Sequence, residues 1–209
     1  KIQPPFAPST LGSCVISAAA GSTSFSIPTA TGLDIIVPAL LRAFCLARMA
    51  SSSSLSSVEA AKRAAAYAAV DAYVKPHHQV IGIGSGSTVP YVVERIYERR
   101  HELSQSCTFI PTSFQAKNLI LERNMRLGDM DTVQELDVTI DGADEVDDGL
   151  NLIKGGGACH LREKVVAEAS KEFVVVADYR KMSHVLGESW KKGVPVDAAP
   201  LAAQRIIRA

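Results

Sequence analysis

The chain has 209 residues, with 22 lysines and arginines against 22 aspartates and glutamates, and 47% of it is hydrophobic. That length holds one sizeable domain, or one and part of another, and the apolar content lies well outside the disordered range. A zero net charge gives no one-sided basic field for nucleic acid or a membrane surface, so neither is expected as a partner; an anionic ligand must be held by local groups. The cysteines at 14, 45, 107 and 159 form no C-x-x-C pair and no disulfide framework, which predicts free thiols in a reducing, cytoplasmic setting.

Residues 1–54 read as a leader outside the fold. They are rich in Ser, Ala, Thr and Pro, and Asp34 is the only acidic residue before Glu59. The apolar run 35–47 is interrupted by Pro38 and Arg42 and is too short to cross a bilayer. Met49, opening Met49-Ala50-Ser51-Ser52, is the expected natural start, with translated non-coding sequence before it. The alternative is a Ser-rich, acid-poor organelle transit peptide.

From residue 57 the pattern becomes regular. Residues 58–74 predict an alanine-rich helix capped by Ser56 or Ser57 and stopped by Pro76. Residues 80–83 form a short strand running into a glycine loop, and 91–100 a second helix with Pro90 near its first turn. A strand at 107–110, the turn Pro111-Thr112-Ser113 and a helix at 114–123 repeat the unit. Strand 136–140 ends in Asp141. A glycine loop at 154–157 precedes a helix over 161–170, and 173–177 is an all-apolar strand of the kind buried on both faces. Alternating strands and helices predict an α/β fold, a Rossmann-like parallel sheet with helices on both faces. Residues 55–193 would form this domain and 194–209 the start of a smaller, truncated C-terminal α/β domain. His77-His78 reads as a solvated turn.

In such sheets ligands bind beyond the carboxyl ends of the strands, and four polar clusters fall there. The first is Gly82-Ile83-Gly84-Ser85-Gly86-Ser87-Thr88. It lacks the lysine of a nucleoside-triphosphate loop, and no acidic residue follows at the distance a dinucleotide site requires. Its hydroxyls suit a small phosphate at a helix N-terminus; a ligand-free tight turn is the plainer alternative. The second is Asp141-Gly142-Ala143-Asp144-Glu145-Val146-Asp147-Asp148. The spacing fits no calcium loop and no histidine lies near, so a metal is not favoured. The favoured reading points Asp141 and Asp144 inward to a polyol and leaves Glu145, Asp147 and Asp148 in a solvated turn.

The third cluster is Lys154-Gly155-Gly156-Gly157, followed by Glu163. Consecutive glycines at a helix entrance suggest close approach to the backbone, and Lys154 could stabilise an oxyanion. Glu163, taken alone, is more commonly a first-turn carboxylate complementing the helix dipole. The fourth is Asp178-Tyr179-Arg180-Lys181, where Lys181 is either a phosphate partner or plain surface. Cys159 and His160 read as neighbours of the site without a chemical role.

Taken in order, G-I-G-S-G-S-T, I-P-T-S, D-G-A-D-E, K-G-G-G, R-E-K and A-D-x-x-K resemble the ribose-5-phosphate isomerase A family, from about residue 58 to 200. The resemblance implies interconversion of D-ribose 5-phosphate and D-ribulose 5-phosphate through an enediolate, with no cofactor, no metal and a homodimer at full length. It implies Glu163 as general base, with Lys154 and Asp141 handling the sugar oxygens. Substrate would be held by Ser85, Gly86, Ser87, Thr88, the stretch Asp141-Gly142-Ala143-Asp144, Lys154, Gly155, Gly156, Gly157 and Lys181. Lys62 matches a further phosphate contact more loosely. His160 stands where the family usually has leucine one position earlier, but the count from Lys154 to Glu163 is kept. The rival readings are an amino-sugar phosphate deaminase, which would need a well-placed histidine, and a non-catalytic sugar-phosphate sensor, which would not need Glu163 and Lys154 together.

Overall fold

The computed structural model describes residues 13–19, 42–46 and 54–208. Its main sheet has six strands in the order β2-β1-β8-β5-β3-β4. Strands β3 (Val80–Ile83), β4 (Thr108–Pro111), β5 (Val138–Gly142) and β8 (Glu172–Asp178) are mutually parallel. The helices between them are α2 (Val89–Glu98), α3 (Phe114–Glu122) and α4 (His160–Glu168), with α1 (Ser54–Tyr73) leading in. The parallel α/β fold read from the alternation is therefore the fold of the chain.

Composition sets residues 1–54 apart from this fold, yet β1 (Ser13–Ala19) pairs antiparallel with β8, and β2 (Arg42–Leu46) pairs antiparallel with β1. The physical reason is the open edge of β8, whose backbone N–H and C=O groups template a further strand whatever its side chains.

Side chains alternate across the sheet as the two-residue strand period requires. Val174 and Val176 of β8 enter the main core with Ala66, Ala69 and Val70 of α1 and Val92 of α2. Val175 and Ala177 point the other way, into a small cluster with Val146. Val166 of α4 joins Ile110 and Leu136 in a third cluster. Both faces are thus covered, and the uninterrupted apolar run in β8 follows from that. The small residues of α1 let it lie close to its neighbours, and its polar face is tied to α2 by Arg63–Glu94 at 2.9 Å and Arg95–Asp71 at 2.9 Å.

Because β4 and β5 flank β3 on opposite sides, the chain reverses its winding direction at β3. That creates a crevice at the carboxyl ends of β3 and β5, where loops diverge and a ligand can enter. Next to it, the two-residue strands β6 (Glu145–Val146) and β7 (Leu152–Ile153) form a hairpin that ends directly before Lys154. Asp147 closes this hairpin, accepting from the Asn151 backbone N–H at 2.8 Å and the Asn151 side-chain amide at 2.9 Å.

That arrangement corrects the solvated-turn reading of the acidic run. Glu145 and Asp147 are buried, and only Asp148 of the three is exposed. His78 is likewise buried and not solvated, and burial pushes its pKa down.

Candidate active site

Strand β5 starts and ends two residues later than the sequence suggests, carrying Asp141 and Gly142 in register with Val175 and Val176 of β8. Asp141 is fully buried. Its Oδ1 accepts the backbone N–H groups of Ser85 at 2.8 Å and Gly142 at 2.7 Å. Gly84 has to be a glycine for this contact, because a Cβ there would stand 2.0 Å from Asp141 Oδ1 and 2.4 Å from its Cα. The first glycine loop is therefore pinned to the second cluster through a carboxylate.

Lys154 leaves the β6–β7 hairpin and lays its ammonium between two carboxylates. Nζ is 3.0 Å from Asp141 Oδ2 and 3.2 Å from Glu163 Oε2, and it donates to the Gly142 carbonyl at 2.5 Å. Burial by itself would lower the lysine's pKa, but the charges of Asp141 and Glu163 outweigh it and hold it above its ordinary value. The ammonium thus stays charged at neutral pH. Asp141 Oδ2 and Glu163 Oε2 meet it as ion pairs without well-aligned hydrogen bonds, which leaves lone pairs on both oxygens for another donor.

Glu163 lies in the first turn of α4, as read from the sequence, but it caps nothing. Its side chain is buried, and Oε1 accepts from the Ser85 hydroxyl. Cys159 precedes the helix without a side-chain capping bond. A carboxylate able to take a proton, beside an ammonium able to balance a developing oxyanion, is the pairing that proton transfer next to a carbonyl requires.

A cleft of about 330 Å³ opens over this group. Its lining brings together Ser85, Gly86, Ser87, Thr88, Gly142, Ala143, Asp144, Lys154, the three glycines 155–157, Glu163 and Lys181. Asp141 stands behind Lys154 and does not line the cleft. Asp144 holds the third loop in place by accepting the Gly156 N–H at 2.7 Å. Lys62 does not line the cleft; it pairs with Glu59 at 2.7 Å, and its charge reaches Asp178 of the lining. Asp178, at the end of β8, is gripped by Arg180 at 2.7 Å; burial opposes its charge, but the guanidinium holds its carboxyl below the usual range.

Among the lining side chains that sequence reasoning missed, two begin α3. Gln115, in the first turn of α3, accepts the Gly86 N–H at 3.1 Å, and Phe114 stands 76% exposed at the cleft mouth. The signal was their position, directly after the Thr112-Ser113 rim. Ser113 itself caps α3, accepting from Ala116 N at 3.0 Å. Among the described residues, no group of three or more His, Cys, Asp or Glu side chains is arranged to hold a metal ion, and no helix is long and apolar enough to cross a membrane.

The family model for ribose 5-phosphate isomerase A (phosphoriboisomerase A) matches residues 108–209. A ribose-5-phosphate isomerase of Mycosarcoma maydis is 60% identical over 161 residues, 77% of this chain and 56% of its own length. Over this stretch the chain is similar to the ribose 5-phosphate isomerase A family. Ribose 5-phosphate isomerase A of Methanocaldococcus jannaschii superposes with a TM-score of 0.63 at 39% identity, over 70% of this chain and 64% of its own. A D-ribose-5-phosphate isomerase in complex with phospho-erythronic acid gives a TM-score of 0.65 at 39% identity, over 72% and 65% of the two chains. The chain spans a little over half the length of the curated family members it matches.

Proposed function

We propose that this chain interconverts D-ribose 5-phosphate and D-ribulose 5-phosphate. The observation that carries the reading is the buried Glu163–Lys154–Asp141 group at the foot of a cleft rimmed by the Ser85–Thr88 phosphate-type loop. In this reading Glu163 takes the proton from C2 and returns it to C1. Lys154 faces the oxygen on which charge develops, and Asp141 acts on the sugar oxygens through Lys154 by fixing its ammonium. Ser85 orients Glu163 through its hydroxyl, while Gly86, Ser87, Thr88 and Lys181 hold the phosphate, where backbone N–H groups, a helix N-terminus and a cation favour an anion. Gly142, Ala143, Asp144 and the glycines 155–157 line the sugar. The structural relative bound to phospho-erythronic acid, a phosphorylated sugar acid, supports this ligand class. No histidine lines the cleft, which speaks against the deaminase reading.

The reading extends to a catalytic domain over residues 55–193, cytoplasmic residence and a homodimer. The exposed Leu161 and Val165 on α4 support the homodimer, and sedimentation tests it. Function is tested by following exchange of the C2 proton of ribose 5-phosphate in deuterated water by NMR, with and without EDTA. Exchange that survives EDTA and is lost in Glu163→Gln is the expected result. No exchange from a folded wild-type chain that still binds the sugar phosphate would favour the sensor reading.

A further inference from the structure

Glu145 follows Asp144 directly, and none of its side chain reaches solvent. A buried carboxylate is costly unless its oxygens are filled. Here they are filled largely from one remote turn, with the Ser183 hydroxyl adding to it. Gly187 N–H donates to Oε2 at 2.6 Å, while Oε1 takes the Ser189 N–H at 2.6 Å and the Ser189 hydroxyl at 3.0 Å. Gly187, Glu188 and Ser189 are otherwise exposed, so the carboxylate is the turn's main attachment. The three hydrogen bonds from this turn are charge-assisted and of the stronger kind.

The residue after this turn is Trp190, and it packs on the glycine loop of the cleft. A Cβ on Gly156 would lie 2.5 Å from Trp190 Cη2 and 2.7 Å from Asp144 Oδ1, so the bare side of Gly156 faces both the indole and Asp144. The Lys181 ammonium stands 5.9 Å from the indole centroid. Two cleft residues, Asp144 and Lys181, therefore touch or face one indole whose position depends on the anchored turn. Glu163 on α4 and Asp141 on β5 do not depend on it, and Lys154, two residues before Gly156, is held separately by Asp141, Glu163 and the Gly142 carbonyl.

We infer that Glu145 is a positioning residue for sugar-phosphate binding: it anchors the 187–189 turn, seats Trp190 against Gly156, and thereby fixes Asp144 and Lys181 in the cleft wall. The identity of the ligand rests on the isomerase reading above. Because the anchor touches the holding groups and not the reacting ones, its loss should separate binding from chemistry.

Glu145→Gln in the whole chain would set an amide N–H₂ against the turn's N–H donors. KM for ribose 5-phosphate should rise about tenfold while kcat stays within roughly twofold. Trp190 is the only tryptophan in the chain, so its fluorescence should become more accessible to acrylamide in the same variant. If Glu145→Gln does not fold, Trp190→Leu carries the test without disturbing the buried carboxylate, and the same rise in KM with preserved kcat is expected. A folded Glu145→Gln or Trp190→Leu protein with unchanged KM, or with loss confined to kcat, would overturn the inference. A wild-type chain inert toward ribose 5-phosphate would overturn the isomerase reading instead. The anchor is then judged by quenching, where unchanged Trp190 accessibility in Glu145→Gln overturns it.

Discussion

Gly84 and Gly157 separate two reasons for a glycine at this site. At Gly84 the obstacle is the protein itself, since an added methyl meets Asp141 down to its backbone and no side-chain rotation relieves it. Gly84→Ala should therefore cost about 1–3 kcal/mol of stability, the usual penalty of overpacking, and displace the Asp141 carboxylate. At Gly157 nothing lies within 4 Å of the added Cβ, and the backbone is not in the left-handed region. Gly157→Ala should leave stability within about 0.5 kcal/mol. If sugar phosphate backs onto this loop, its binding should nonetheless weaken by roughly tenfold, equivalent to about 1.4 kcal/mol. Thermal melts and a ribose 5-phosphate titration on both variants check the contrast; equal affinity for Gly157→Ala and wild type would move the ligand away from that glycine.

Between elements, the attachment of the 187–189 turn to β6 carries a pH signature. Burial opposes the Glu145 charge, but the Gly187 and Ser189 backbone N–H groups, with the hydroxyls of Ser183 and Ser189, bring its pKa down to about 2 from 4.5. The unfolded chain then takes up this proton first as pH falls, so the carboxylate's contribution is complete above about 4.5 and is lost on the way down to about 2. In urea unfolding at a series of pH values, the stability gap between wild type and Glu145→Gln should be widest above pH 5 and should close toward pH 2. A gap that stays constant with pH would mean the charge is not what holds the turn. Nothing in the local sequence announces this carboxylate. Glu145-Val146-Asp147-Asp148 has the composition of a solvated acidic turn, and its partners lie 42 and 44 residues away. Strand β8 is the opposite case: burial on both faces writes itself into a continuous run of valines, and the element is legible within a few residues. The same division explains the site. Gly84–Thr88, Asp141–Asp144 and Lys154–Gly157 are local loop signatures and could be read directly. That Asp141 sits behind Lys154, and that Gln115 fills the Gly86 N–H, are consequences of how β3, β5 and α3 meet.

For the whole molecule, burial is unevenly distributed, and the unevenness bears on where the folded unit stops. The main core joins α1, α2 and α3 to β3, β4, β5 and β8. Over residues 191–208 no side chain is buried, and Val194, Val196, Leu201 and Ile207 are 69%, 69%, 94% and 77% exposed. Gly193 accepts the Trp190 indole N–H at 2.7 Å, and past residue 193 the segment is tied back through Asp197, which accepts the Leu161 N–H at 3.1 Å and lies 3.3 Å from His160 Nδ1. Exposed pairs of this kind contribute about 0–1 kcal/mol. A chain ending at residue 193 should therefore melt within a few degrees of the parent, since about 1 kcal/mol moves Tm by roughly 2–4 °C at this size. Its amides in β3, β5 and β8 should keep their hydrogen-exchange protection, because the bonds that open most rarely belong to the buried ladder. The start of α4 should exchange faster once the Leu161 N–H loses its acceptor, and that change reaches the helix carrying Glu163. Proton exchange at C2 of ribose 5-phosphate, compared between the two chains, then tells whether Asp197 supports the reacting carboxylate or only the surface beside it. A fall in Tm of ten degrees or more would place the boundary of the cooperative unit beyond residue 193.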